Sequence, residues 1–252
     1  MNSATVRNLL VRGMLAGLGA GVLALIVAYL LGEPTVDSAI GFEESHAPAH
    51  GHEVELVSRS LQSTAGLATG VLIYGVAFGG IAALAYCFAL GRVGRFGPRA
   101  TALLLSGTAL LAVYVVPFLK YPANPPSVGD PDTIGERTTL YFLMMVLSVL
   151  LAVAAVIAGK RLAPRLGNWH ATVVAVLGFV LAIGLAYEFL PVVNEVPGDF
   201  PATLLWRFRL SALAMQLTLW GGFGLVFGEL AERLLHPKPA TLSAGTAVAA
   251  PH

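Results

Sequence analysis

Six stretches of this chain stay predominantly apolar for eighteen residues or more, over about 9–31, 64–90, 100–119, 140–159, 171–190 and 210–230. At about 1.5 Å of rise per residue, each is long enough to cross a hydrocarbon core roughly 30 Å thick. Runs of that length read as transmembrane helices rather than as buried segments of a soluble domain. Composition agrees: 56% of the 252 residues are hydrophobic and 12% are charged, about half the roughly 25% charged share of soluble domains. The expected fold is an all-α integral membrane protein of six transmembrane helices arranged as three hairpins. One polytopic membrane domain covers 1–235, and the small, polar, proline-containing end at 236–252 reads as a disordered tail.

Orientation follows from Lys and Arg counted segment by segment. One side holds Arg7, Arg12, Arg92, Arg95, Arg99, Lys160, Arg161, Arg165, Arg233 and Lys238; the other holds Arg59, Lys120, Arg137, Arg207 and Arg209. Ten against five places both termini in the cytoplasm of a multi-pass protein of the cell membrane. The first apolar run exceeds the length of a signal-peptide core, and Gly32-Glu33-Pro34 makes no small-residue cleavage site, so that run is kept as a helix.

Several function classes fall away. The net charge is +1 with no dominant basic patch, which gives no nucleic-acid signal. The single cysteine, Cys87, lies inside an apolar run and reads as small apolar filler. No HExxH, Walker A loop, GxSxG or paired cysteine occurs, so the chain carries no engine for ATP hydrolysis and reads as a non-enzyme. Gly13, Gly17 and Gly21 in the first helix repeat at one-turn spacing, and Gly66, Gly70, Gly75, Gly79 and Gly80 pattern the second. Such stripes let helix backbones approach closely in lipid.

The polar chemistry gathers outside. The stretch 119–141, LKYPANPPSVGDPDTIGERTTLY, contains Pro122, Pro125, Pro126 and Pro131, so no helix continues through it. Thr133 followed by Glu136 has the spacing of a capping box at the start of the fourth helix. A loop so stiffened is a candidate for presenting bound groups, although a rigid cap joining two helices is the reading its residues favour. The first external loop, 32–63, carries Glu33, Asp37, Glu43, Glu44, Glu53 and Glu55 around His46, His50 and His52. Carboxylate with imidazole suits divalent transition metals, while a solvated flexible loop accounts for the same residues equally well. Twelve of the fourteen acids fall on the external side, and a mouth of one sign concentrates counter-ions. Glu188 lies inside the fifth apolar run, where an ionisable group is a candidate by default. His170 beside Trp169 reads instead as an interfacial anchor. A loose threefold pattern sets acids before arginines: Glu33 with Arg59, Asp130 or Glu136 with Arg137, and Glu195 with Arg209. Charges at that depth are expected to pair.

The segments GEPTVDSAIGFEE, VSRSLQSTAGL, VPFLKYPANPPSVGDPDTIGERT and LPVVNEVPGDFPATLLWRFR resemble the CbtA family of predicted cobalt transporter subunits, from the first helix to the last. The resemblance implies a role in cobalt uptake for cobalamin synthesis, with Co²⁺ as the transported ion and no resident cofactor. It also implies a small single-span partner, CbtB, with its own histidine-rich segment. That family is commonly given five helices; the charge bias and an even helix number support six here. Family-like positions are Glu33, Asp37, Glu43, Glu44, Arg59, Lys120, Tyr121, Asn124, Glu136, Arg137, Glu195, Arg207 and Arg209. On this reading Glu33, Glu43 and Glu44 form a metal capture site with His46, His50 or His52. The other ten line an external vestibule, with Asn124 and nearby carbonyls guiding the ion inward. Mid-membrane polar groups are few, among them Gln216, Tyr74, Tyr86 and Tyr114, which favours a pathway shared with the partner. The alternative is a non-transporting membrane scaffold that binds a partner through its rigid proline-rich loops.

Overall fold

The structure, a computed structural model, describes residues 2–46 and 58–236. Among the described residues, five helices are long and apolar enough to cross a membrane: α1 (Ser3–His46), α2 (Arg59–Ala89), α3 (Pro98–Lys120), α4 (Ile134–Phe189) and α5 (Ala202–Leu235). Among the described residues there is no strand. The chain is an all-helical, multi-pass membrane protein. Helix α4 holds two of the apolar runs and is broken at Gly167, whose φ of 74° and ψ of 161° are not helical. Pro164, just before, withdraws one backbone donor, and glycine adopts the positive φ without a Cβ penalty. The chain then doubles back. A Cβ on Gly159 would meet Ala175 Cβ at 3.4 Å, and Leu140 and Met144 share a cluster with Ile183 and Ala186. The arms 134–166 and 168–189 therefore run antiparallel. His50, His52 and nearly all of the expected disordered tail lie outside the described residues.

The tightest packing is between α1 and α2. Along α1 the buried stripe is Leu9, Gly13, Ala16, Gly17, Ala20, Gly21 and Ala24, the spacing of one helical face. It meets Gly75 and Gly79 of α2 so closely that a Cβ on Gly17 would stand 2.1 Å from Gly75 O. One on Gly79 would stand 2.2 Å from Gly13 O. Of the two expected glycine stripes, Gly13, Gly17 and Gly21 and then Gly75 and Gly79 make this contact. Gly70 faces open space instead.

Helix α5 packs on α1, and α3 packs on α5. Phe78 sits edge-on to Trp220 at 4.6 Å and to Phe223 at 5.1 Å, and Tyr86 sits edge-on to Phe227 at 5.0 Å. At the α3–α5 contact Ser106 Oγ donates to Trp220 O at 3.0 Å. Helix α4 meets the rest mainly through α3 from Leu110 to Lys120.

Pro34, expected to lie beyond the end of the first helix, lies inside it, and Pro117 lies inside α3 as the expected third helix allowed. Helix α1 passes through Pro34 as far as His46, where an external loop was expected, and α3 passes through Pro117 to Lys120. Each proline is preceded by a π-helical turn, Ala28–Gly32 and Leu110–Val115. In a regular α-helix a proline ring strikes the carbonyl four residues back; a wider turn relieves that contact and leaves carbonyls unpaired. Hydroxyls donate to carbonyls in or beside these turns. Ser211 Oγ donates to Leu31 O at 2.8 Å and Thr35 Oγ1 to Gly32 O at 2.7 Å. In α3, Ser148 donates to Ala112 O and Tyr187 to Val116 O. With no water in the core to do this, such partners are required.

Substituting Gly17 by Ala should destabilise the protein by about 1–3 kcal/mol, the usual cost of overpacking, because a backbone carbonyl cannot rotate away. Gly19→Ala, with nothing within 4 Å, should be neutral. Thermal unfolding of both variants in detergent checks the pair, and equal melting temperatures would count against this contact.

Candidate functional site

The proline loop following α3 and the 190–201 segment between α4 and α5 enclose an open cavity of about 710 Å³. Its position follows from the backbone. Tyr121 OH donates to Pro191 O at 2.8 Å and Lys120 Nζ to Tyr187 O at 2.6 Å, which clamps the end of α3 onto α4. Arg209 of α5 reaches the loop from the other side, donating through Nε to Ala123 O at 3.3 Å and through Nη2 to Asn124 Oδ1 at 3.1 Å. The walls are Pro122, Pro125, Pro126, Val128 and Val196, and the floor includes Tyr114, Phe118, Tyr141 and Phe142. The charged groups facing it are Arg137, Arg209 and Glu195.

Glu195 latches the rim. Its carboxylate accepts from the Asp130 backbone N–H at 2.9 Å and from the Thr133 hydroxyl, and Oε2 lies 3.1 Å from Arg137 Nε. Arg137 also donates through Nη2 to Asp130 O at 3.3 Å. Gly129 is needed for the approach: its φ is 126°, and a Cβ there would fall 2.2 Å from Arg137 Nη1. The Thr133 hydroxyl above all, with the Asp130 N–H and the Arg137 charge, holds the Glu195 carboxyl below the usual carboxylate range. The expected capping box is not formed. Thr133 stands at the N-cap but turns its hydroxyl to Glu195 and Asp130 O, so tertiary partners displace the local one.

The charge pairing differs from the threefold pattern in two of its three parts. Arg59 does pair with Glu33, and with Asp37 at 2.8 Å. Arg137 takes Glu195 from the following connection instead of Glu136, which is exposed on the first turn of α4. Arg209, deprived of Glu195, holds the neutral Asn124 and Ala123 O. The pattern assumed that each hairpin closes on itself, whereas the 190–201 segment folds across to the start of α4.

Of the expected metal set, Glu33 is committed to Arg59, while Glu43 and Glu44 are exposed and form no ion pair among the described residues. His46 stacks on Phe42 at 4.2 Å and lies 3.7 Å from Asp199. Among the described residues no three His, Cys, Asp or Glu side chains gather as metal ligands do. Of the expected vestibule, Tyr121, Asn124, Arg137, Glu195 and Arg209 line the cavity; Asp37, Arg59, Lys120, Glu136 and Arg207 do not. Asn124 Oδ1, expected to guide a cation, is taken by Arg209. Glu188 is exposed at the C-terminal end of α4, and Gln216 accepts from Trp220 Nε1 at 3.1 Å on its own helix. Sequence reasoning missed Thr138, Tyr141 and Asn194 as lining residues. Tyr141 carried a usable signal, since it follows Arg137 by four residues on one helical face.

A family model described as probable cobalt transporter subunit (CbtA) matches residues 6–232. The chain belongs to the CbtA family. No match was found among curated proteins or solved structures. Membership in CbtA makes the chain one subunit of a transporter, which implies a partner.

The latch generates a pH prediction. A carboxylate whose folded pKa is depressed adds stability that is complete above its unfolded pKa, about 4.3 for glutamate, and is lost as pH falls through the lower folded value. Thermal stability of the protein should therefore exceed that of Glu195→Gln at neutral pH, with the gap closing on acidification below about pH 4. Parallel curves across that range would remove the latch from the stability of the rim.

Proposed function

We propose that this CbtA chain is the membrane-spanning subunit of a cobalt uptake transporter and collects the divalent ion at its acidic external surface. Family membership carries the reading. The chain is taken to cross the cell membrane six times with both termini in the cytoplasm. Helix α4, at 56 residues, would be about 84 Å long if straight, far more than one crossing needs. Its break at Gly167 lies beside Lys160, Arg161 and Arg165, which belong on the cytoplasmic side.

Capture is assigned to the outer turns of α1, where Glu43, Glu44 and His46 are exposed, with His50 and His52 next in the chain. Glu33 joins only if its carboxylate leaves Arg59. Exposed carboxylates of one sign raise the local concentration of a cation and speed its encounter. The partner on this reading is a small, single-span, histidine-rich subunit like CbtB, which supplies the polar groups that these helices lack at mid-membrane. The scaffold alternative draws support from the proline loop, which Arg209, Glu195 and Tyr121 hold from three directions.

Uptake of labelled Co²⁺ by cells expressing the chain with its partner tests the proposal. Uptake should need the chain and fall about tenfold or more in Glu33→Gln/Glu43→Gln/Glu44→Gln, with Glu43→Gln/Glu44→Gln also impaired, at normal levels of membrane insertion. No uptake with the partner present, together with loss of partner co-purification in Pro125→Ala/Pro126→Ala, would favour the scaffold.

A further inference from the structure

The cavity at the outer end does not have the chemistry of a cation site. Two guanidiniums, Arg137 and Arg209, face it against one carboxylate, Glu195, and that carboxylate is spent on Arg137, Thr133 and the Asp130 N–H. Arg209 has only neutral acceptors, Ala123 O and Asn124 Oδ1, and forms no ion pair among the described residues. Arg137 Nε is buried, and despite its proximity to Glu195 it is not aligned to hydrogen-bond to anything described. A half-buried guanidinium at a membrane boundary is costly unless an anion or water accompanies it. The remaining surface is mostly apolar or aromatic, with Asn124, Thr138 and Asn194 as its uncharged polar side chains, and Tyr114 stacks on Phe118 at 5.4 Å. The volume of about 710 Å³ lies within the range of organic-ligand sites, which pair apolar walls with a few placed polar groups.

We infer that this cavity binds an organic monoanion, an oxyanion headgroup on an apolar or aromatic body, with Arg209 as the primary anchor. One unneutralised positive charge calls for one negative charge on the ligand. A guanidinium holds a carboxylate or phosphate oxyanion with charge-assisted, often paired, hydrogen bonds. Prolines and tyrosines give the body a rigid surface whose ordering costs little entropy. Two sources share this chemistry: a soluble carboxylate entering from outside, and the phosphate of an anionic lipid at the membrane surface. The inference stands apart from the metal reading, since it concerns a different surface and a ligand of opposite charge.

The test uses the full chain in phosphatidylcholine nanodiscs, without cobalt, and measures binding of 3-phenylpropanoate against the neutral 3-phenylpropanol by calorimetry. A second arm replaces part of the lipid with phosphatidylglycerol. The informative variant is Asn124→Asp, which keeps the shape and the acceptor oxygen at Arg209 while supplying the missing negative charge in place. The acid should bind saturably and the alcohol about tenfold more weakly or not at all. Asn124→Asp and Arg209→Gln should each weaken the acid about tenfold or more, and Asn124→Asp should melt no lower than the unmodified chain. That last readout separates ligand binding from a merely structural role for Arg209. If the lipid is the source, phosphatidylglycerol should displace the acid from the unmodified chain and co-purify with it more than with Asn124→Asp. Equal binding of acid and alcohol would overturn the inference, as would binding unchanged in Asn124→Asp. So would the absence of saturable binding of the acid together with no preference for phosphatidylglycerol over phosphatidylcholine.

Discussion

The bundle hangs on a backbone-to-backbone contact. In lipid there is no hydrophobic drive between helices, because the tails are as apolar as the side chains, so close van der Waals packing must hold them together. Gly13, Gly17, Gly75 and Gly79 bring α1 and α2 to a separation that leaves no room for a methyl group on either. Ala16, Ala20 and Ala24 continue the small surface and are almost wholly buried. Helix α5 settles against α1, with its aromatic side chains meeting Phe78 and Tyr86 of α2. Helix α3 leans on α5, and α4 joins through the outer half of α3. A shift at the glycines would be passed along that order.

The half of the bundle that holds Pro34 and Pro117 obeys a second constraint, that every backbone carbonyl freed inside a membrane needs a donor. Pro34 and Pro117 each follow a π-helical turn, and hydroxyls from other parts of the chain donate to carbonyls in those turns. Ser211 ties α5 to α1, and Ser148 and Tyr187 tie the two arms of α4 to α3. The irregular turns thereby become the points at which helices are cross-linked, and they position the proline loop and the 190–201 segment over the bundle.

Charge is divided into two territories. The C-terminal turns of α1 display carboxylates, with Arg59 bound among them and Glu43 and Glu44 exposed. The cavity has the opposite balance because Glu195 is consumed by its own rim. The two regions therefore differ in the sign of their unpaired charge. For a member of a transporter-subunit family, this division keeps the proposed place of ion capture apart from the proposed place of ligand binding.

Much of this was legible in the residues alone. Six apolar runs dictate membrane helices because length and hydropathy are local properties, and the GMLAGLGAG spacing marks a close-packed face because helical periodicity is local too. The outer rim as a place of paired charge was equally readable, since acids and arginines cluster in the same short segments. Which acid meets which arginine was not. Glu195 is 58 residues along the chain from Arg137 and 14 from Arg209, and proximity in sequence suggested the wrong partner. Only the folding of the 190–201 segment across the start of α4 decided the pairing, and with it the sign of the cavity. Likewise Pro34 read as lying beyond a helix end, because a proline's effect on its own turn is local while the Ser211 hydroxyl that meets the helix there comes from elsewhere in the chain.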